Sequence, residues 1–258
     1  MGISLKNKTV FVTGASSGIG AATAVEFAKL GAKLLICARR TERLKELEPA
    51  LKEAGAADVF SFELDVRDRD EVEGTLNTLP AGWGEIDVLV NNAGLSRGFI
   101  KLWEDDPQNW QEMIDTNIMG LLYVTRALVP GMLKRGAGHV INLGSVAGYI
   151  TYANGSVYCA SKAAEKAISE GLKIDLMGTP VRVTSVDPGM VETEFARVRF
   201  RGDDERAAKV YQNITPLTAE DVADAIVWAA TRPLHVNIHN ILMTTIDQGN
   251  SVTFHRRG

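Results

Sequence analysis

Along the chain, short β-branched or leucine-rich runs, several of them apolar almost throughout, alternate with longer alanine-rich stretches of helical character. The apolar runs are TVFVT (9–13), KLLICA (33–38), VFSFELDV (59–66), IDVLVNNAG (86–94), HVINLGS (139–145), VRVTSVDPG (181–189) and NILMTTI (240–246). A strand whose two faces are both covered has no reason to alternate, so these runs read as buried parallel strands. Helices are expected over 18–30, 41–54, 68–79, 107–134, 155–177 and 218–231. Strand and helix taken in turn require right-handed crossovers, giving an α/β fold with a doubly wound, seven-stranded parallel sheet and helices on both faces. No Pro-, Gly- or Ser-rich linker divides the pattern, so residues 1–258 are expected to form one domain. The stretch 190–215, MVETEFARVRFRGDDERAAKVYQNIT, breaks the rhythm with clustered charges and a turn signal at Gly202-Asp203. It is too long for a simple turn and is expected to be an insertion over a substrate site.

Composition narrows the partner. With 28 basic and 32 acidic residues the net charge is -4, without the basic footprint that nucleic acid or an anionic membrane surface requires. No apolar run reaches 18 residues, and Cys37 and Cys159 suggest no disulfide framework, so a cytoplasmic protein is expected. The four histidines show no metal-binding spacing, and no metal is expected. A small molecule is the expected partner.

The chemistry begins where the first strand runs into TGASSGIG, with Gly14, Gly18 and Gly20 around Ser16, Ser17 and Ile19. A tight glycine turn opening a helix lets the backbone approach a pyrophosphate, which the free N–H groups and positive end of the helix then hold. The spacing GxxxGxG is a weak signal alone, but here it sits inside a strand–helix–strand unit. The next strand ends in Arg39 and Arg40, where a site for NAD has Asp or Glu to bond the ribose hydroxyls. Guanidinium groups suit a 2′-phosphate, so the expected dinucleotide is NADP, with Glu42 nearby as a counter-indication.

Tyr158 and Lys162 lie four residues apart on a predicted helix and so share a face. Alone, the pair favours a tyrosine tucked beside a solvated lysine. In order along the chain, however, stand TGASSGIG, Asp65, NNAG (91–94), Asn117, Ser145 thirteen positions before Tyr158, YCASK, and DPG (187–189). This series resembles, motif for motif and over essentially the whole chain, the short-chain dehydrogenase/reductase family. The resemblance implies a Rossmann fold and catalysis by Asn117, Ser145, Tyr158 and Lys162. Tyr158 would move the proton, Lys162 would stabilise its phenolate and bond the nicotinamide ribose, Ser145 would polarise the substrate oxygen, and Asn117 would hold a water. Asp65 and Val66 would flank the adenine, and Asn92, Ala93 and Gly94 would support the adenosine ribose side. Pro188, Gly189, Val191 and Thr193 would cradle the nicotinamide. Family members commonly pair through the Tyr158 helix, implying a homotetramer (dimer of dimers) or homodimer, and Ala160, Ala163, Ala164 and Ala167 would allow close helix approach.

Within that family NNAGLSRG, the segment around Ser145 and VETEFARVRFRGDD resemble the NADP-dependent branch that oxidises small 3-hydroxy acids such as serine, L-allo-threonine or 3-hydroxypropionate. A carboxylate substrate needs a cation, and Arg97, Arg197, Arg199 and Arg201 all fall on loops expected at the sheet's carboxyl edge. Two other readings stand beside this one: a family member acting on a bulkier ketone (3-oxoacyl, steroid or diketone), and a non-catalytic dinucleotide sensor.

Overall fold

The strands form where the sequence is most continuously apolar. In the computed structural model, which describes residues 2–258, β1 (Thr9–Thr13) is buried at all five positions and β6 (Val181–Pro188) at all eight. With β2 (Lys33–Ala38), β3 (Asp58–Glu63), β4 (Val88–Asn91), β5 (Gly138–Leu143) and β7 (Asn240–Met243) they make one parallel sheet of seven strands, ordered β3-β2-β1-β4-β5-β6-β7.

Alternate residues of each strand feed two separate cores. Val10, Val12, Leu34 and Ile36 point to one face, where α1 (Gly18–Lys29), α2 (Thr41–Glu53) and α9 (Ala219–Ala230) contribute Phe27, Leu44 and Ile226. Phe11, Leu35 and Cys37 point to the other, against Val72 of α3 (Arg69–Asn77), Val124, Leu128 and Met132 of α5 (Leu121–Arg135), and Leu172 of α6 (Ser156–Asp175). Phe11 and Phe27 are fully buried, each worth about 1.5–3 kcal/mol relative to exposure. Because the helix after β1 covers one face and the helix after β4 the other, the chain diverges between these neighbouring strands. Such a divergence opens a crevice at their carboxyl ends.

The predicted elements all occur; β1 and β2 have the predicted bounds, and the other five strands end before their apolar runs do. The run 86–94 is strand only to Asn91, because the Asn92 N–H turns back to the Val90 carbonyl at 3.0 Å. The run 59–66 stops at Glu63. The predicted helix 107–134 is three pieces: α4 (Pro107–Ile114), a π-helical turn (Asp115–Gly120) and α5. Single π turns recur at functional positions, and this one carries Asn117. The stretch 190–215 is no open loop, since it holds α7 (Phe195–Arg199) and α8 (Asp204–Val210). Its ends are clamped where Leu217 N–H donates to the Met190 carbonyl (2.9 Å) and Glu192 N–H to the Leu217 carbonyl (2.8 Å).

Candidate active site

The turn after β1 depends on glycine for two different reasons. Gly14 and Gly18 have φ of +65° and +55°, which residues with a Cβ rarely adopt. A Cβ on Gly20 would stand 2.4 Å from Asn92 Nδ2 and 2.6 Å from the Gly14 carbonyl, so that position is set by crowding. The NNAG segment is the brace of this turn: Asn92 Nδ2 donates to the carbonyls of Thr13 (2.8 Å) and Gly14 (3.1 Å), while Thr13 Oγ1 accepts the N–H of Asn92 (3.1 Å) and of Ala93 (3.0 Å). Ser17, at the N-cap of α1, makes no capping bond with its side chain. The first N–H groups of α1 therefore remain available to an anion.

Beside this turn stands a basic group. Arg40 Nη2 donates to the hydroxyls of Ser16 (3.2 Å) and Ser17 (2.9 Å), and its Nη1 meets Glu194 at 3.1 Å. Arg43 Nη1 reaches both Glu194 oxygens, at 2.7 and 2.8 Å. Hydrogen bonds from Arg43, joined by Arg40, hold the Glu194 carboxyl below the usual range against the opposing effect of partial burial. Arg39 is exposed and has no ion pair among the described residues. Further along the rim, burial opposes ionisation of Asp65, but the Arg67 guanidinium at 2.5 Å keeps its carboxyl below the ordinary range.

The reactive side chains arrive from three elements. Ser145, in extended backbone after β5, accepts the Ala147 N–H at 3.1 Å. Asn117 pins the loop after β4, accepting the Leu95 N–H (2.8 Å) and donating to the Leu95 carbonyl (2.8 Å) and Ser161 Oγ (3.0 Å). Tyr158 and Lys162 lie on one face of α6, and Lys162 Nζ donates to the Leu143 carbonyl at 2.6 Å. All four residues are buried. Ser145, Tyr158 and Lys162 line a single cleft of about 680 Å³ together with Gly14, Ser16, Ser17, Gly18, Ile19, Arg39, Arg40, Asp65, Val66, Asn92, Ala93, Gly94, Pro188, Gly189, Val191 and Thr193. Gly20 stands behind the turn and Asn117 behind Gly94, where a Cβ would lie 3.4 Å from Asn117 Oδ1 and 3.8 Å from Lys162 Nζ.

Under this site lies a buried pair of acids. Glu165, 1% exposed, accepts from Ser169 Oγ (2.8 Å) and Ser185 Oγ (3.4 Å) through one oxygen, and its Oε2 has no hydrogen-bond partner. Asp187 accepts from Tyr149 (2.6 Å), Ser185 (2.6 Å) and Asn240. A Cβ on Gly144 would lie 1.8 Å from Asp187 Oδ1 and 2.5 Å from Glu165 Oε2, so both carboxyls crowd the backbone just before Ser145. Burial pushes Glu165 up to about 7, with Lys162 pulling it down and Asp187 adding to the rise.

The four expected substrate arginines separate clearly. Arg97 is locked to Glu112 (2.6 Å, both side chains 15% exposed), Arg197 pairs with Asp204 (2.9 Å) and Arg201 with Asn109 (2.7 Å), while Arg199 packs on the Tyr158 ring. Three participants escaped the sequence reading. Arg43 lies one turn beyond Arg40, a spacing that was available. Glu194 reads as an ordinary surface acid, whereas Glu165 shares the helix face of Tyr158 and Lys162 by its i+7 and i+3 spacing, a signal that an acid on a helix ordinarily overrides.

A parallel doubly wound sheet, a glycine turn at its switch point, and a tyrosine and lysine facing the same cleft define a dinucleotide-dependent oxidoreductase. Residues 8–204 match the family model described as short chain dehydrogenase, and the chain belongs to that family. It is 48% identical, over 93% of its length and 95% of the relative's, to an NADP-dependent 3-hydroxy acid dehydrogenase of Salmonella typhi. To an enzyme of the same name from Schizosaccharomyces pombe it is 40% identical over 98% of both chains. Among solved structures, the closed form of a serine dehydrogenase complexed with NADP+ superposes with a TM-score of 0.90 at 46% identity, covering 96% of this chain and all of that one.

Proposed function

We propose that this protein is an NADP-dependent oxidoreductase that transfers a hydride between the nicotinamide and the CH–OH or C=O group of a small 3-hydroxy acid such as serine, L-allo-threonine or 3-hydroxypropionate. The observation that carries the proposal is the convergence of Ser145, Tyr158 and Lys162 with the Gly14–Gly18 turn and Arg39, Arg40 and Arg43 in one cleft. The names of the relatives, one of them solved with NADP+, support the same reading. The donors present fit the cofactor. Glycines at 14 and 18 permit close backbone approach, and three arginines with no acid at the end of β2 suit a 2′-phosphate.

When bound, NADP+ supplies the hydride acceptor and NADPH the donor. Tyr158 takes the substrate hydroxyl proton in oxidation and returns it in reduction. A free phenol, with a pKa of about 10, is a weak base at neutral pH, so the phenolate needs a neighbouring cation, and Lys162 on the same helical face is that cation. Ser145 Oγ orients and polarises the reacting oxygen, and Asn117 braces the loop on which Leu95 and Gly94 face the site. Asp65 and Val66 take the adenine side, Asn92 to Gly94 the ribose, and Pro188, Gly189, Val191 and Thr193 the nicotinamide. The 190–215 insertion covers the substrate. We place the enzyme in the cytoplasm, in keeping with its two buried, unpaired cysteines. We also propose that it forms a dimer of dimers or a dimer, for which the exposed Ala160, Ala163 and Ala167 on α6 offer a slim face.

The test is a panel of L-serine, L-allo-threonine, 3-hydroxypropionate, a 3-hydroxyacyl thioester and simple secondary alcohols, each with NADP+ and NAD+. Small acids with NADP+ are expected to give the highest kcat/KM. Tyr158→Phe is expected to lose at least about a hundredfold in kcat while binding NADPH as before. Turnover that survives this substitution refutes the mechanism, and a bulkier substrate outpacing every acid refutes the assignment.

A further inference from the structure

We infer that Arg199 is the residue that receives the substrate carboxylate and so makes the site selective for acids. The inference rests on the reading that the substrate is a small 3-hydroxy acid. Arg97, Arg197 and Arg201 line the cleft, and each has its charge met by a carboxylate; Arg199 packs on Tyr158 and Phe195, two residues of that lining. Arg97 Nε is 2.6 Å from Glu112, Arg197 Nε is 2.9 Å from Asp204, and Arg201 Nη2 lies 3.6 Å from the same Glu112. Arg199 has no acidic partner within the 4.0 Å that defines an ion pair, among the described residues. Its one side-chain hydrogen bond is from Nη2 to the Tyr152 hydroxyl at 3.1 Å, and its Nε is buried with no acceptor. A buried guanidinium donor without a partner is costly, and native proteins leave few of them.

The uncompensated cation packs against the ring of Tyr158, the residue proposed to move the proton. Its guanidinium carbon lies 5.3 Å from the centre of the Tyr158 ring and 5.2 Å from that of Phe195. In a 3-hydroxy acid the carboxyl carbon is only two carbon–carbon bonds, of about 1.5 Å each, from the carbinol carbon. A substrate whose hydroxyl meets Tyr158 therefore carries its carboxylate into the neighbourhood of Arg199, whose planar fork suits two-point recognition.

The surroundings fix this placement. The Gly98 N–H donates to the Arg199 carbonyl (3.1 Å), and Arg97 Nη1 donates to the carbonyl of Val198 (2.6 Å). Arg97, held by Glu112, is thus a positioning residue that ties the end of α7 to the loop after β4. Tyr152 and the Phe195 ring complete the seat: burial raises the Tyr152 pKa, so its hydroxyl stays protonated and neutral and leaves the guanidinium charge intact.

The experiment compares kcat/KM for 3-hydroxypropionate and for its neutral analogue 3-hydroxypropionamide in wild type, Arg199→Met and Arg199→Lys, with NADPH affinity measured by fluorescence in each. Truncating one partner of a desolvated ion pair costs enough that Arg199→Met should lose at least about fiftyfold on the acid. The amide should change less than about threefold, and NADPH affinity should stay within twofold, which also certifies folding. Arg199→Lys keeps the charge without the fork and should show a smaller loss, still confined to the acid; it carries the test should the methionine variant not fold. Equal losses on acid and amide make Arg199 a support for the Tyr158 ring and overturn the inference, as does an acid preference that survives in both variants. A wild-type enzyme inactive on every 3-hydroxy acid overturns the functional reading and, with it, the anchor.

Discussion

Glu165→Gln should make the protein more stable, and increasingly so as the pH rises from 5 to 8. Folding moves this carboxyl to a site 1% exposed, beside Asp187, and raises it from an ordinary 4.5 to about 7. Between those values the folded chain holds a proton that the unfolded chain has released. Stability therefore falls as pH climbs through that window and levels off above it. Between two and three pKa units at about 1.4 kcal/mol each give a loss on the order of 3 kcal/mol at pH 8 that is nearly absent at pH 4.5. Glutamine matches the protonated carboxyl in shape, keeps an acceptor for Ser169, and turns a donor toward Asp187. It removes the titration without leaving a hole. Urea unfolding of both proteins at a fixed chain concentration, followed by tryptophan fluorescence at half-unit pH steps, isolates Glu165 with the two groups it interacts with, Asp187 and Lys162, because carboxylates elsewhere cancel in the difference. A stability difference that stays constant from pH 5 to 8, or a variant that loses ground at pH 8, refutes the reasoning.

The ion pairs across the cleft predict that Glu194→Gln tightens NADPH binding, because Glu194 occupies Arg40 and Arg43 in the free protein. These pairs are partly exposed and worth about 1 kcal/mol together, so the dissociation constant should fall about fivefold while that for NADH stays the same; a rise refutes it. Gly144→Ala should destabilise by about 3 kcal/mol in thermal melts and reduce turnover, since the new methyl would overlap Asp187 and Glu165 and displace the neighbouring Ser145. An alanine variant with native stability would mean that the two carboxyls do not crowd this backbone.

Much of this molecule is legible in its sequence, and the reason differs from element to element. The sheet declares itself because both of its faces are covered: β1 is valine, phenylalanine and threonine throughout, and β6 keeps valines at 181, 183 and 186 although Arg182 and Asp187 interrupt it. Strand ends are less visible, because Asn92 and Asp65 continue the apolar runs on paper while their polar groups have left the ladder for the cleft. The glycine turn is readable from its place inside a strand–helix–strand unit, whereas Ser145, Tyr158 and Lys162 become readable only through their order along the chain and the family resemblance it carries. Glu194 is not, for it meets Arg43 across 151 positions of chain, and only the folded insertion brings them together. Glu165 lies between these cases. Its spacing from Lys162 and Tyr158 puts it on the helix face turned to the sheet, yet an acid on a helix ordinarily means solvent.

What decides its environment is the strand underneath. Residues 181, 183, 185 and 187 of β6 alternate toward α6, which runs back along the sheet in the opposite sense. At the strand's amino end Val181 and Val183 share an apolar core with Leu172 and Leu176. At its carboxyl end Ser185 and Asp187 face Glu165 and its neighbour Ser169. The same pair of elements thus changes from apolar to polar along its length. The apolar half anchors the helix, which leaves the polar half free to place buried carboxyls beneath Lys162 and Ser145 at a cost in stability that the apolar half absorbs.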